Sequence, residues 1–247
     1  MMLPAPWVLQ QRGRIDSSND EARRLARQGA GHGTVVTAEV QTAGRGRRGR
    51  AWMSPPGNLH CSILLDPGNN PSLAPQLTFV AAISLRDALA ELALQADFKV
   101  KWPNDVLCNG AKIAGMLLEQ AGSLVILGVG VNIAEHPEAA LYPATSLRKA
   151  GSGAEVKDVL SGFCAQLAKR YQQWRTQGFA PIRNAWLDKA FGKCERITAT
   201  LADESVMRGT FAGLAADGAL ELLDDQGVIH RILAGDVFFR GQDASGN

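Results

Sequence analysis

At 247 residues the chain can bury one sizeable core, or a large one and a small one. Its hydrophobic and charged fractions are ordinary for a globular protein, and a net charge of +2 creates no global field toward DNA or a membrane. Four widely spaced cysteines without a CxxC or Cys/His cluster argue against structural zinc and fit a reduced, cytoplasmic compartment; no membrane-length apolar run and no basic n-region with a long apolar h-region occurs.

The ordered region is expected to open at Asp16-Ser17-Ser18-Asn19-Asp20-Glu21, where Ser18 and Glu21 have the spacing of a capping box. A helix to about Gln28 follows, ended by Gly29 and Gly31. These polar residues either simply cap the helix or also meet a polar ligand at its N-terminus. Thr34 to Val40 alternates and is β-branched, which predicts a strand. Asn58 to Leu65 predicts the next, with Leu59, Cys61, Ile63 and Leu65 on one face. Ser72 to about Leu94 is apolar at helical spacing. Phe98 to Lys101 reads as a strand ended by Pro103, and Asn109-Gly110 signals a hairpin between Val106–Cys108 and Lys112–Glu119.

Leu124 to Val131 is an apolar strand interrupted by Gly128 and Gly130. Pro137 to Gly153 reads as loop, Val156 to Thr176 as a core-facing helix, and Pro181 to Ala190 as a shorter one. From about Arg196 to Arg240 short strands alternate with acidic turns, which predicts a small all-β domain; Asp243 to Asn247 reads as a frayed tail. The expected class is α+β, a mixed or antiparallel sheet with flanking helices, divided into residues 1–193 and 194–247.

Between the first two predicted strands lies Ala43-Gly44-Arg45-Gly46-Arg47-Arg48-Gly49-Arg50-Ala51-Trp52, with no acidic residue between Val40 and Leu65. Guanidinium forks suit carboxylate and phosphate oxygens, and glycine lets backbone approach a ligand closely. The run is either a mobile ligand-grasping loop or a solvated or nucleic-acid-binding patch. Lys112 shares a strand face with Ala114 if alternation holds; it either bridges two anions in a cleft or guards a solvated sheet edge. In Lys101-Trp102-Pro103-Asn104-Asp105, the carboxylate either closes an Asx turn or helps hold Mg²⁺. Gly128-Val129-Gly130-Val131-Asn132 marks a close approach of a ligand or another backbone. There is no Walker A, GxGxxG or GxSxG motif.

Taken in order, Asp16-Ser17-Ser18-Asn19, Gln41 through Arg50, KWPND, Lys112-Ile113-Ala114-Gly115 and Gly128 through Asn132 closely resemble the biotin protein ligases. The likeness covers roughly Arg14 to Asn132; the Arg/Gly run and KWPND are its specific parts, whereas KxxG is shared with lipoate ligases. The resemblance implies a class II synthetase-like catalytic domain and a small C-terminal SH3-like β-barrel. It implies that biotin and MgATP give biotinyl-5′-AMP and pyrophosphate, after which the adenylate acylates a lysine of a biotin carboxyl carrier protein.

Carried over by position, Lys112 and Arg47 are the implied catalytic residues. Ser17, Ser18, Asn19, Gln41, Gly44, Arg45, Gly46, Arg50, Trp52, Lys101, Gly115, Gly128, Gly130 and Asn132 complete the implied biotin and adenylate site, with Asp105 as a metal ligand. Ser18 stands where the family commonly has Thr. The early position of the first motif leaves no room for a winged helix domain, so no specific DNA binding is expected, nor a membrane; a homodimer is possible. A lipoate–protein ligase and a non-catalytic nucleic-acid-binding module are the alternatives.

Overall fold

The structure is a computed structural model that describes residues 1–138, 142–201 and 203–239. Along the chain run β1 (Val8–Ile15), α1 (Ser18–Arg27), β2 (Thr34–Gln41), β3 (Leu59–Leu65), α2 (Gln76–Leu92), β4 (Phe98–Lys101), β5 (Asp105–Cys108), β6 (Ala111–Ala121) and β7 (Leu124–Val131). They are followed by α3 (Val156–Gln177), α4 (Ala180–Asp188), β8 (Arg196–Leu201), β9 (Val206–Leu214), β10 (Leu220–Leu223), β11 (Ile229–Ile232) and β12 (Gly235–Phe239). Arg240 and the expected frayed tail lie outside the described residues.

The first seven strands form one sheet in the order β1-β2-β3-β7-β6-β5-β4. Only β1 and β2 pair in parallel, so the expected mixed sheet is present. β1 itself was not anticipated. Its sequence VLQQRGRI shows no clean alternation, because an edge strand with half its residues exposed needs little apolar patterning. The last five strands form a second, antiparallel sheet, β11-β10-β9-β8-β12. Among the described residues no ladder joins β11 to β12, so this sheet stays open and the barrel expected from the resemblance is not closed.

β3 is buried along its whole length. Leu59, Cys61, Ile63 and Leu65 belong to the main core beneath α2 and α3, as their alternation predicted. Leu64 faces the other way, into a small cluster with Ala22, Val36 and Ile126 under α1. α2 begins at Gln76 rather than Ser72. A 3₁₀ turn occupies Pro71–Leu73, and Pro75 sits at the N-cap, where its missing N–H and fixed φ are tolerated. Asn109 and Gly110 both take positive φ (51° and 80°), the hairpin turn their sequence called for.

The main core continues without a break into the second sheet through Ile197, Phe211, Leu222 and Phe239. Trp102, in the KWPND stretch, donates its indole N–H to Gly218 O at 3.1 Å. Trp186 stacks edge-on against Phe79 and Phe211. No helix among the described residues is long and apolar enough to cross a membrane.

Candidate functional site

The face of the large sheet that carries α1 is only partly covered by that short helix. Beyond its N-terminus a cavity of about 340 Å³ opens between the sheet, the Arg/Gly loop and the edge of the second sheet. That size suits a small-molecule site.

The first wall is the start of α1. Ser17 is the N-cap and accepts from Asn19 N at 3.2 Å; Ser18 is already the first helical residue, so the expected capping box from Ser18 to Glu21 does not form. The chain enters the helix one residue earlier because Asp16 Oδ1 accepts from Ser17 N and Gln41 Oε1 accepts from Ser18 N, at 2.7 and 2.8 Å. Glu21 instead pairs with Arg12 and Arg24. Ser17, Ser18 and Asn19 are nearly buried and line the cavity with Gln41. Two residues that sequence reasoning missed hold them: Ser62 lies within hydrogen-bond distance of both Ser18 and Asn19, and Glu119 accepts from Asn19 Nδ2 at 2.6 Å. Neither belongs to a recognisable motif.

The floor is β6 and β7. A Cβ on Gly128 would fall 2.3 Å from Asn19 Oδ1, and one on Gly130 would fall 2.3 Å from the Trp52 ring. The glycine-interrupted strand therefore marks close approach, as read, but by two side chains rather than by backbone. Gly115 lies opposite Gly130 across the ladder, and a Cβ on it would fall 3.3 Å from both Trp52 and Lys112. Trp52 thus rests on two glycines, with its indole N–H buried and without a hydrogen-bond partner. Asn132 also lines the cavity, but its amide donates to Thr145 O at 3.1 Å and ties down the segment after Pro143.

Lys112 does not share a face with Ala114. The β5–β6 register slips by one residue between Val106/Ala114 and Leu107/Lys112, leaving Ile113 as a bulge. Ala114 is fully buried in the core while Lys112 turns into the cavity beside Gly115. Nor is Lys112 a sheet-edge residue. Its N–H donates to Pro143 O at 2.7 Å and its carbonyl accepts from Thr145 N at 2.9 Å, while β5 covers the other side. Its ammonium lies 2.7 Å from Asp105 Oδ1, an ion contact outside hydrogen-bond alignment, because that oxygen is buried with no hydrogen bond of its own. Among the described residues no three His, Cys, Asp or Glu side chains could together hold a metal ion. Asp105 alone fits Mg²⁺ only in the usual manner of nucleotide enzymes, with few protein carboxylates and the rest from phosphate and water.

Lys101, almost fully buried, also reaches the cavity, its ammonium 4.3 Å from the Tyr142 ring centre and 5.5 Å from that of Phe239. Burial pulls its pKa down to about 8.

The Arg/Gly loop forms a small β-like arch. Arg45 bridges Ala51, a 3₁₀ turn runs over Arg47–Gly49, and Arg48 and Gly49 take positive φ. Arg45, Gly46, Arg47 and Arg50 line the cavity; Gly44 does not, being packed against Trp52 O, Ser54 Oγ and Gln41 Nε2. The loop's charges are not left alone, despite the absence of acidic residues nearby in sequence. Arg45 makes a bidentate pair with Asp20 of α1 at 2.7 and 2.8 Å, which raises its pKa. Arg48 and Arg50 both reach Asp236 of β12. Arg47, partly desolvated, donates to Asn104 Oδ1 and Gly235 O. Asp236 and Tyr142 are cavity residues no local motif announced.

The chain is similar to known proteins along most of its length. The biotin/lipoate A/B protein ligase family matches residues 13–132, and the biotin protein ligase C-terminal domain family matches residues 195–240. A biotin–[acetyl-CoA-carboxylase] ligase of Paracoccus denitrificans is 42% identical over 92% of this chain and 99% of its own length. A bifunctional ligase/repressor BirA of Bacillus spizizenii is 35% identical over 90% of this chain and 71% of its own. Among solved structures, a biotin protein ligase from Aquifex aeolicus in complex with biotin and ATP superposes with a TM-score of 0.83 at 30% identity, covering 94% of this chain and 98% of that one.

Proposed function

The chain belongs to the biotin protein ligase family, and we infer from that premise and from its cavity that it is an ATP-dependent biotin–protein ligase. In this reading biotin and ATP give biotinyl-5′-AMP and pyrophosphate, and the adenylate then acylates a lysine of a biotin carboxyl carrier domain, with acetyl-CoA carboxylase as the source of that acceptor. The observation that carries it is the meeting of Arg47, Lys112 and the polar start of α1 on one cavity.

The polar wall of Ser17, Ser18, Asn19 and Gln41 binds the ureido head of biotin, a group of paired donors and acceptors. The valeryl tail runs over the glycine floor of β6 and β7 toward Lys112. There the ammonium, held by Asp105, offsets negative charge as the biotin carboxylate oxygen attacks the α-phosphorus and pyrophosphate departs. Asp105 would be the protein carboxylate for Mg²⁺, which supplies charge neutralisation on the leaving phosphates. Lys101 adds a second cation to the same region. Arg47 and Arg50 hold the adenylate, and the arch excludes water from its mixed anhydride. In the second step the carrier lysine's neutral amine attacks the acyl carbon and AMP leaves with the bonding pair. The unit expected over residues 1–193 would carry this chemistry, and Asp236 and Val237 of the C-terminal sheet would close one side of the cavity.

A lipoate ligase is less favoured, because a relative matching 92% of this chain is a biotin–[acetyl-CoA-carboxylase] ligase and the C-terminal match is to the biotin protein ligase C-terminal domain family. A nucleic-acid module is disfavoured because three arginines of the loop, though still exposed, are already paired with Asp20 and Asp236 and so less free to meet phosphate. We assign the chain no sequence-specific DNA binding and propose that it acts in the cytoplasm. The reading is tested by pyrophosphate release on adding biotin or lipoate with ATP, followed by label transfer to a carrier domain. Biotin-dependent release and transfer support it; release with lipoate alone, or none with either, overturns it.

A further inference from the structure

We propose that Asp236 is a positioning residue that latches the Arg/Gly arch over the adenylate, so that the C-terminal sheet sets how long the activated intermediate stays bound. The proposal rests on the ligase reading for its chemistry and on independent geometry for the latch.

Asp236 is the second residue of β12, at the point where that strand pairs with Thr200 of β8. Its side chain is 14% exposed, and it meets two guanidinium groups, Arg48 at 3.2 Å and Arg50 more closely. The backbone around it serves the same loop. Gly235 O accepts from Arg47 at 3.3 Å, and Leu201 O, on the neighbouring strand, accepts from Arg48 at 3.1 Å. A Cβ on Gly235 would fall 2.8 Å from Thr200 O, so this corner is as tight as backbone allows. Three arginines of one four-residue turn therefore end on one strand corner of the other sheet. The other foot of the arch is the Arg45–Asp20 pair on α1.

An arch held at both feet cannot lift without breaking charge-assisted bonds at one of them. Asp236 itself need not touch the adenylate; it acts through the arginines. Removing its charge releases Arg50 and one of the two bonds of Arg48, so that foot is left on the uncharged contacts of Arg48 with Leu201 O and Arg47 with Gly235 O.

The test uses the full chain with Asp236→Asn, Asp236→Glu and Arg48→Gln. Each is incubated with biotin and ATP without acceptor, and biotinyl-AMP is measured in a rapid filtrate. Trypsin cleavage after Arg50 is timed in parallel. Asp236→Asn and Arg48→Gln should each raise the released fraction on the order of tenfold, the scale of losing hydrogen bonds to a charged group. They should also speed cleavage after Arg50, while Asp236→Glu stays near the parent. Arg48→Gln leaves the C-terminal sheet untouched, so it decides the matter if Asp236→Asn does not fold. Parent-like retention and cleavage in these variants overturns the latch. If the parent itself makes no biotin-dependent pyrophosphate, the ligase reading fails instead, and cleavage timing alone then supports or overturns the latch.

Discussion

Lys112 Nζ stands 2.7 Å from Asp105 Oδ1, across a β-bulge that turns the lysine out of the core face of its own strand. The two residues sit on adjacent strands, β6 and β5, so the contact is held by the ladder rather than by flexible side chains alone. In the proposed reading, an ammonium on this mount, at the meeting point of the polar wall and the arginine arch, would stabilise charge developing at an acyl phosphate. Replacing Lys112 by Ala removes that charge and leaves Asp105 facing the incoming anions. Adenylate formation should fall by about two orders of magnitude or more, the cost of deleting a key electrostatic group. Single-turnover pyrophosphate release measures it, and a rate within a few-fold of the parent would remove Lys112 from the reaction.

Arg47 should act later than Lys112. Its guanidinium is partly desolvated and anchored by Asn104 Oδ1 and Gly235 O, so it is held in the cavity before any nucleotide arrives. Arg47→Gly should leave adenylate formation largely intact while biotinyl-AMP escapes into solution and labels bystander amines. Retention equal to that of the parent counts against the role.

The glycine floor makes a sterically defined prediction. In Gly128→Ala the new methyl would sit 2.3 Å from Asn19 Oδ1, and Asn19 must move out of its bonds to Ser62 and Glu119. Overpacking of this kind costs about 1–3 kcal/mol. Because the displaced group belongs to the polar wall, the loss should surface as weaker biotin binding in calorimetry, by about tenfold, with a smaller change in thermal midpoint. Unaltered biotin affinity would place the ureido head elsewhere.

Lys101 predicts a pH dependence. Burial holds its pKa at about 8 in the folded protein against 10.5 as the unperturbed value. Between those two pH values the unfolded chain keeps a proton that the folded protein has released, so this group makes stability rise with pH across that window. Below pH 8 the cost of burying the ammonium is fully present. Lys101→Met should therefore flatten the rise in thermal midpoint between pH 8 and 10.5. A slope unchanged by the substitution would show that the ammonium titrates normally.

Much of the fold was legible because its signals are local. The Asn109-Gly110 turn, the alternating face of β3 and the apolar spacing of α2 each depend on residues a few positions apart. β1 escaped because a half-exposed edge strand has no need of a regular pattern. The start of α1 was misplaced by one residue because Gln41, 23 positions away, takes the N–H of Ser18. The bulge at Ile113 left no mark in sequence, and it reversed the face expected for Ala114 relative to Lys112.

By itself the sequence determined the chemical inventory: a polar helix start, an arginine-rich arch, a lysine beside a hairpin and a glycine-broken strand, in an order matching the biotin ligases. Residue type and spacing suffice for that, since donors, charges and backbone freedom are properties of the residues themselves. Only tertiary structure decided which carboxylates answer the arginines and where Lys112 points. Asp20 and Asp236 are separated from the arch by long stretches of chain, and pairing at a distance depends on how two sheets and a helix pack, not on any local pattern.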